Sequence, residues 1–382
     1  MSNDRFIPLS IPNVAGNEWK YVKDCLDTGW ISSVGSYVNQ FEQMVADFAG
    51  AKYGIAAVNG TAALHISLLL SGVRQNDYVI LPNLTFVASA NSIKYLGADP
   101  ILIDADPTGW QMDLDLLEEF LAQETEEVEG SLIYKKDRRC ISAIMPVHIL
   151  GNMGDMDRFS RIVARYPLAI VEDATEALGS TYRGKSAGTF SPIACFSFNG
   201  NKIISTGGGG VIVTDDERLA ARAKHLTTTA KASPDEYYHD EIGYNYRLVN
   251  VLAAIGVGQM ELLPSFIERK LACVQFYQQA LQGVADIRFQ SVLPEVKING
   301  WLFTIQTDQQ KRLLDHLNAN KILSRRFWMP MNKLPMYANC VYVQRQDQSD
   351  YIYNTCLSIP SSTSITDEEM EIVVREIKNA IG

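Results

Sequence analysis

The chain has 382 residues, 47% of them hydrophobic and 20% charged, and carries a formal net charge of −10. Its length suits two domains rather than one, and its composition is that of a globular protein with a large core. The negative balance disfavours broad binding to nucleic acid or acidic membranes, so an anionic ligand would need a local cluster of positive groups. No apolar run reads as long enough for a membrane span. Met1–Arg5 opens no signal peptide. The cysteines at 25, 140, 195, 273, 340 and 356 show neither CxxC nor metal-ligand spacing. The expected setting is cytoplasmic, with reduced thiols and no metal.

Strand and helix patterns alternate from about residue 50 to about residue 230. Tyr53–Val58 reads as a strand, Thr61–Ser71 as a helix and Tyr78–Leu81 as a strand. Ala88–Leu96 reads as helical, Pro100–Asp104 as extended and Leu114–Gln123 as helical. The acidic run Glu124–Gly130 reads as a solvated loop. Ile141–Val147 is apolar, Met156–Tyr166 helical, and Leu168–Asp173 a strand that closes on an acid. Such alternation predicts an α/β fold with a mostly parallel sheet wrapped by helices. After about residue 235 the texture changes. A long helix is predicted over Val249–Gln282, then a short strand at Trp301–Thr307 and helices at Gln310–Ala319 and Asp367–Ala380. The expected division is an N-terminal arm and large α/β domain over 1–235, with a smaller α+β domain over 236–382.

Six residues fall at successive strand ends. Gly60 and Thr61, followed by Ala62, open a helix after a strand, where free amides, a hydroxyl and the positive helix end suit a phosphate. Phe86 could stack on a flat ring. Asp173 ends a strand at the carboxyl edge, where open α/β sheets bind ligands. Ser197 and Lys202 sit in the turn between the apolar runs 195–198 and 211–213. Desolvation lowers a lysine's pKa and frees the amine to attack a carbonyl. A turn lysine plus a strand-end aspartate is the polar minimum for pyridoxal 5′-phosphate (PLP): the lysine forms a Schiff base and the acid pairs the pyridine nitrogen.

Each residue alone has a plainer reading. Gly60-Thr61 could be an ordinary helix cap, Asp173 an N-cap, Phe86 a core aromatic, Ser197 a turn hydroxyl and Lys202 a surface lysine. His148 reads as structural. Gly207–Gly210 suggests either close backbone approach to a ligand or a loose loop. The conjunction of residues in this order carries the argument.

With these residues in place the chain resembles the DegT/DnrJ/EryC1/StrS family of PLP-dependent sugar aminotransferases. The resemblance covers nearly the whole length. Gly29-Trp30-Ile31-Ser32, Asn59-Gly60-Thr61-Ala62-Ala63-Leu64, Pro82–Phe86, Pro146-Val147-His148, Glu172-Asp173-Ala174, Ser197–Lys202 and Gly243-Tyr244-Asn245-Tyr246-Arg247 match its motifs. It implies the aspartate-aminotransferase-like fold (PLP fold type I) and transfer of an amine from glutamate to a keto sugar nucleotide, with pyridoxamine 5′-phosphate as the intermediate cofactor form. It implies that Lys202 carries the cofactor, that Asp173 pairs the pyridine nitrogen and that Phe86 stacks. Gly60, Thr61, Ala62 and Ser197 would bind the phosphate. It further implies a homodimer in which Asn245 reaches the neighbouring subunit's cofactor, with Trp30, Ser32 and Arg247 at the substrate.

Two departures stand out. Glu176 replaces the family's usual Gln or His near the ring hydroxyl, and Gly208 replaces an acid. The runs Glu172–Ser180 and Leu262–Phe266 resemble a branch acting on UDP-2-acetamido-4-keto-6-deoxy sugars, on routes to bacillosamine or legionaminic acid. The nearest alternative is a pyridoxamine-phosphate-dependent sugar dehydratase of the same fold, which has histidine where this chain has Lys202. A non-catalytic binding protein that keeps the fold is the other.

Overall fold

The computed structural model describes residues 5–233 and 235–382. Its main sheet runs, in spatial order, Tyr53–Ala57, Gly210–Thr214, Ile193–Ser197, Ala169–Asp173, Cys140–Ile144, Tyr78–Pro82, Asp99–Ile103 and Val341–Val343. Every neighbouring pair is parallel except that Gly210–Thr214 runs antiparallel to both its neighbours. All five residues of Tyr78–Pro82 and of Gly210–Thr214 are buried. Strands covered on both faces read as continuous apolar runs, which is why they show no alternation.

Four helices of this layer start where a short polar side chain replaces a missing backbone acceptor, whereas Val87–Tyr95 starts at Phe86 without a side-chain cap. Asn59, Asp113, Asp155 and Asp216 cap the helices Gly60–Leu70, Leu114–Glu124, Met156–Val163 and Glu217–Thr227. Each cap satisfies amides that the first turn leaves without intrahelical acceptors. Because the parallel strands share one direction, the segments after Ala57, Pro82, Ile144, Asp173 and Ser197 emerge on one edge of the sheet.

The acidic run is not a loop. Thr125–Val128 pairs antiparallel with Ser131–Tyr134, and the two-residue turn between them has φ of 51° at Glu129 and 76° at Gly130. Positive φ at both positions is a type I′ hairpin geometry. Glu126 and Glu127 stay exposed while Leu132 and Tyr134 are buried, so charge and strand pairing coexist.

A second, four-stranded antiparallel sheet joins Arg288–Phe289, Phe303–Gln306, Cys356–Ile359 and Arg325–Arg326. With the helices Gln310–Ala319 and Asp367–Ile381 it encloses a separate core that includes Ile305, Leu313, Leu357 and Val373. Ile7 of the N-terminal arm joins that core, its amide donating to Lys321 O at 2.9 Å. Two elements cross the proposed 1–235 and 236–382 division. Val341–Val343 returns to the large sheet beside Asp99–Ile103. The 32-residue helix Asn250–Leu281 places Val257, Met260 and Leu263 in the first core and Cys273, Val274 and Tyr277 in the second. This helix also corrects one reading of the sequence. It is long and apolar enough to cross a membrane, but 56% of its most apolar stretch is buried within the fold.

Candidate active site

The strand ends and the second sheet close around a cavity of about 400 Å³. Gly60, Thr61, Phe86, Asp173, Glu176, Ser197 and Lys202 all line it, so seven of the residues singled out from sequence meet in one place.

At one end lies the helix start. A Cβ on Gly60 would stand 2.9 Å from the Ser197 Cβ, so only glycine lets the strand-end hydroxyl sit against the helix terminus. The first-turn amides and the hydroxyls of Thr61 and Ser197 form a cradle suited to a phosphate. Ala62 departs from expectation. It is buried outside the cavity lining, and its amide donates to the Asn59 side chain at 2.8 Å. The glycine run has a packing reason at its last member. A Cβ on Gly210 would come within 2.5 Å of Asn59 O, so this glycine admits a neighbouring backbone rather than a ligand.

At the other end Asp173 is 1% exposed. Ser89 donates its hydroxyl to Asp173 Oδ2 at 2.7 Å, and the Thr175 amide donates to Oδ1 at 3.2 Å. Phe86 is half exposed at the cavity wall, with its ring 6.5 Å from that of Trp328. His148 is tied up behind the site, its Nε2 2.7 Å from Glu172 Oε1 with both side chains buried, as a structural histidine should be.

Lys202 and Glu176 face each other, with Nζ 3.7 Å from Oε1. Burial lowers the pKa of Lys202, and the Glu176 carboxylate opposes that shift. Burial raises Glu176 to about 7, with Lys202 opposing. Burial thus draws the two pKa values toward each other, an arrangement suited to proton transfer. The Leu150 amide donates to the other Glu176 oxygen at 2.9 Å. Leu150 itself sits at φ 61°, a left-handed conformation unfavourable for leucine that this bond helps hold.

Besides Ala62, four expected residues lie outside the cavity of this chain. Arg247 is 7% exposed and both guanidinium nitrogens bond the Glu42 carboxylate, one of them at 3.1 Å. The pair is structural: removing either partner would strand a buried charge. Trp30 is exposed, and the carbonyls of Trp30 and Ser32 accept from Asn250 at 2.7 and 2.6 Å. Asn245 is exposed and bridges Thr228 through its backbone.

The sequence reading also missed residues that the cavity contains. Ser89 follows Phe86 by one helical turn, a spacing that could have found it. Trp301, Trp328, Arg325 and Arg326 come from the second half of the chain, and nothing local marks them.

The donor set fits PLP. A phosphate cradle, a buried carboxylate and a desolvated lysine line one cavity that an aromatic ring borders.

Comparison with known proteins agrees. The sequence profile of the DegT/DnrJ/EryC1/StrS aminotransferase family matches residues 12–378. The chain is 35% identical over 376 residues to GDP-perosamine synthase of Escherichia coli O157:H7, covering 98% of each. It is 33% identical over 374 residues to the putative pyridoxal phosphate-dependent aminotransferase EpsN of Bacillus subtilis strain 168, covering 96% of this chain and 94% of the relative. Among solved structures, S. venezuelae DesV in complex with a ketimine intermediate superposes with a TM-score of 0.85 at 27% identity, covering 95% of this chain and 94% of DesV.

Proposed function

The chain belongs to the DegT/DnrJ/EryC1/StrS aminotransferase family and is a PLP-dependent nucleotide-sugar aminotransferase; from that premise we propose that it carries an amine from glutamate to C4 of a UDP-linked 2-acetamido-2,6-dideoxy-4-keto-hexose, for cell-surface glycan synthesis in the cytoplasm. The observation that carries the reading is the Lys202–Glu176 pair at 3.7 Å, in the same cavity as Asp173. When bound, PLP supplies an electron sink conjugated to the carbon that loses its proton. Asp173, buried and oriented by Ser89, would keep the pyridine nitrogen protonated. Gly60, Thr61 and Ser197 would hold the phosphate and Phe86 would lie against the ring. Lys202 takes the proton from Cα of glutamate in the first half-reaction and delivers one to C4 of the sugar in the second. Glu176 shares that proton.

Arg325 and Arg326 supply the positive charge that an acidic protein needs for anionic substrates. Both line the cavity, and no ion pair among the described residues engages either. We assign them to carboxylate or diphosphate groups. We propose a homodimer as well. Tyr237 is 97% and Ile242 84% exposed, and Trp19 and Trp30 are also exposed. Apolar groups left so open suit a second copy of the chain. Asn245 follows Ile242 by three residues and would enter the neighbour's site.

The UDP-2-acetamido assignment is supported by the runs Glu172–Ser180 and Leu262–Phe266. A second reading, a GDP-linked 4-keto-6-deoxy sugar, is supported by GDP-perosamine synthases at 35% and 32% identity. The test is to incubate enzyme, PLP and glutamate with each 4-keto sugar nucleotide, then follow 2-oxoglutarate and the product mass. Amination of the UDP sugar alone supports the first reading. Amination of the GDP sugar alone selects the second, and amination of neither overturns both.

A further inference from the structure

Trp301 enters the cavity from the turn Asn299-Gly300-Trp301, ahead of the strand Phe303–Gln306. It is 2% exposed, and Lys202 Nζ lies 3.8 Å from the centre of its ring. The ammonium therefore rests against the ring face. Trp301 Nε1 donates to Asn201 O at 2.7 Å, the residue before Lys202. Two contacts to one short loop set the ring relative to the lysine.

The ring is itself held from three sides. The Trp301 amide donates to Asn299 Oδ1 at 3.0 Å, and Asn299 Nδ2 donates to Glu176 O at 2.8 Å and Leu178 O at 3.0 Å. Trp328 stacks on the indole at 6.3 Å and 20°. Behind it, Lys270 is 1% exposed, and its Nζ donates to Trp301 O at 2.8 Å and also to Ser361 O. Two backbone carbonyls meet this buried ammonium. Such a group is costly to bury and needs its partners. Here those partners include the backbone of the residue that covers Lys202.

We propose that Trp301 is a positioning residue for the Lys202 amine: its ring face holds the lysine as an ammonium each time it has taken up a proton, and keeps the amine pointed into the cavity until the proton is passed on. An aromatic face attracts a cation through its quadrupole, and more strongly where water is excluded. The inference rests on Lys202 as the proton carrier.

The test uses the full chain loaded with pyridoxamine 5′-phosphate, in which the Lys202 amine is free. Competitive acetylation across pH, read by mass spectrometry on the Lys202 peptide, gives its titration midpoint. Trp301→Phe and Trp301→Leu are similar in volume and both lack the indole N–H, so they differ chiefly in the ring face. We expect the midpoint of the Leu variant to lie about half to one pH unit below that of the Phe variant, with the exposed Lys52 unchanged in both. Equal midpoints, or a higher one in the Leu variant, would overturn the proposal. Trp301→Met serves as the non-aromatic arm if the Leu variant does not fold. Failure here leaves the transamination reading standing, because that reading is judged on products of the unmodified enzyme.

Discussion

Lys202 Nζ stands 3.7 Å from Oε1 of Glu176, and the two share one buried environment in which each opposes the other's shift. The carboxylate favours the ammonium, and desolvation favours the free amine.

Replacing Glu176 by Gln removes the carboxylate and leaves desolvation to dominate. The Lys202 pKa should then fall. In Glu176→Gln the acidic limb of the glutamate half-reaction, followed by loss of visible absorbance, should move to lower pH by about one unit. The maximal rate should stay within roughly tenfold of wild type, since the amide keeps the shape and a hydrogen-bonding oxygen. A superimposable pH profile would show that the carboxylate does not govern the lysine.

Asp173 is expected to act through charge. Asp173→Asn should bind PLP but lose about 100-fold or more in the half-reaction, because a neutral amide cannot stabilise a protonated pyridine as a carboxylate does. Ser89→Ala removes one oriented bond to that carboxylate and should cost about tenfold. Stopped-flow traces of both variants check this. Wild-type rates in Asp173→Asn would refute the role.

The alternation of strand and helix was legible because each signal is local. Thr61–Ser71 and Leu114–Gln123 carry helical patterns, and Tyr78–Pro82 is continuously apolar. Lys202 was legible as a turn lysine between two buried strands. What escaped was long-range or backbone-driven. Arg247 meets Glu42 across 205 positions, so its burial has no sequence mark. Trp301 reaches Asn201 across 100 positions. The acidic run 124–130 looked solvated because its glutamates are, while its turn and pairing are properties of the backbone. Gly210 was read against a ligand or a loose loop, and its neighbour is another main chain.

Lys270 ties stability to pH. Burial lowers its pKa from 10.5 to about 8. The folded value lies below the unfolded one, so between those two pH values the unfolded chain holds the extra proton. Stability from this group rises with pH through that window, and below it the buried ammonium is a constant penalty. Comparing denaturant unfolding of wild type and Lys270→Met isolates the effect. Wild type should gain on the variant by up to about 3 kcal/mol between roughly pH 8 and 10.5. A difference that stays flat would contradict the assignment.

If Asn245 completes the neighbour's site, damage at that position should complement damage at Lys202. A heterodimer of a Lys202→Ala chain and an Asn245→Ala chain would hold one intact site and one doubly damaged site. Its activity should exceed that of either parent homodimer. Confirmed heterodimers with no rise in activity would confine Asn245 to its own subunit.

The central claim is that Lys202 is the lysine that carries the cofactor. Lys270 is the natural competitor, being fully buried with its own pKa depressed. Borohydride reduction of the PLP-loaded protein fixes the covalent link, and peptide mapping locates it. The account predicts the pyridoxyl group on Lys202, and none in Lys202→Ala. A pyridoxyl group on Lys270, or on any other lysine, would contradict it.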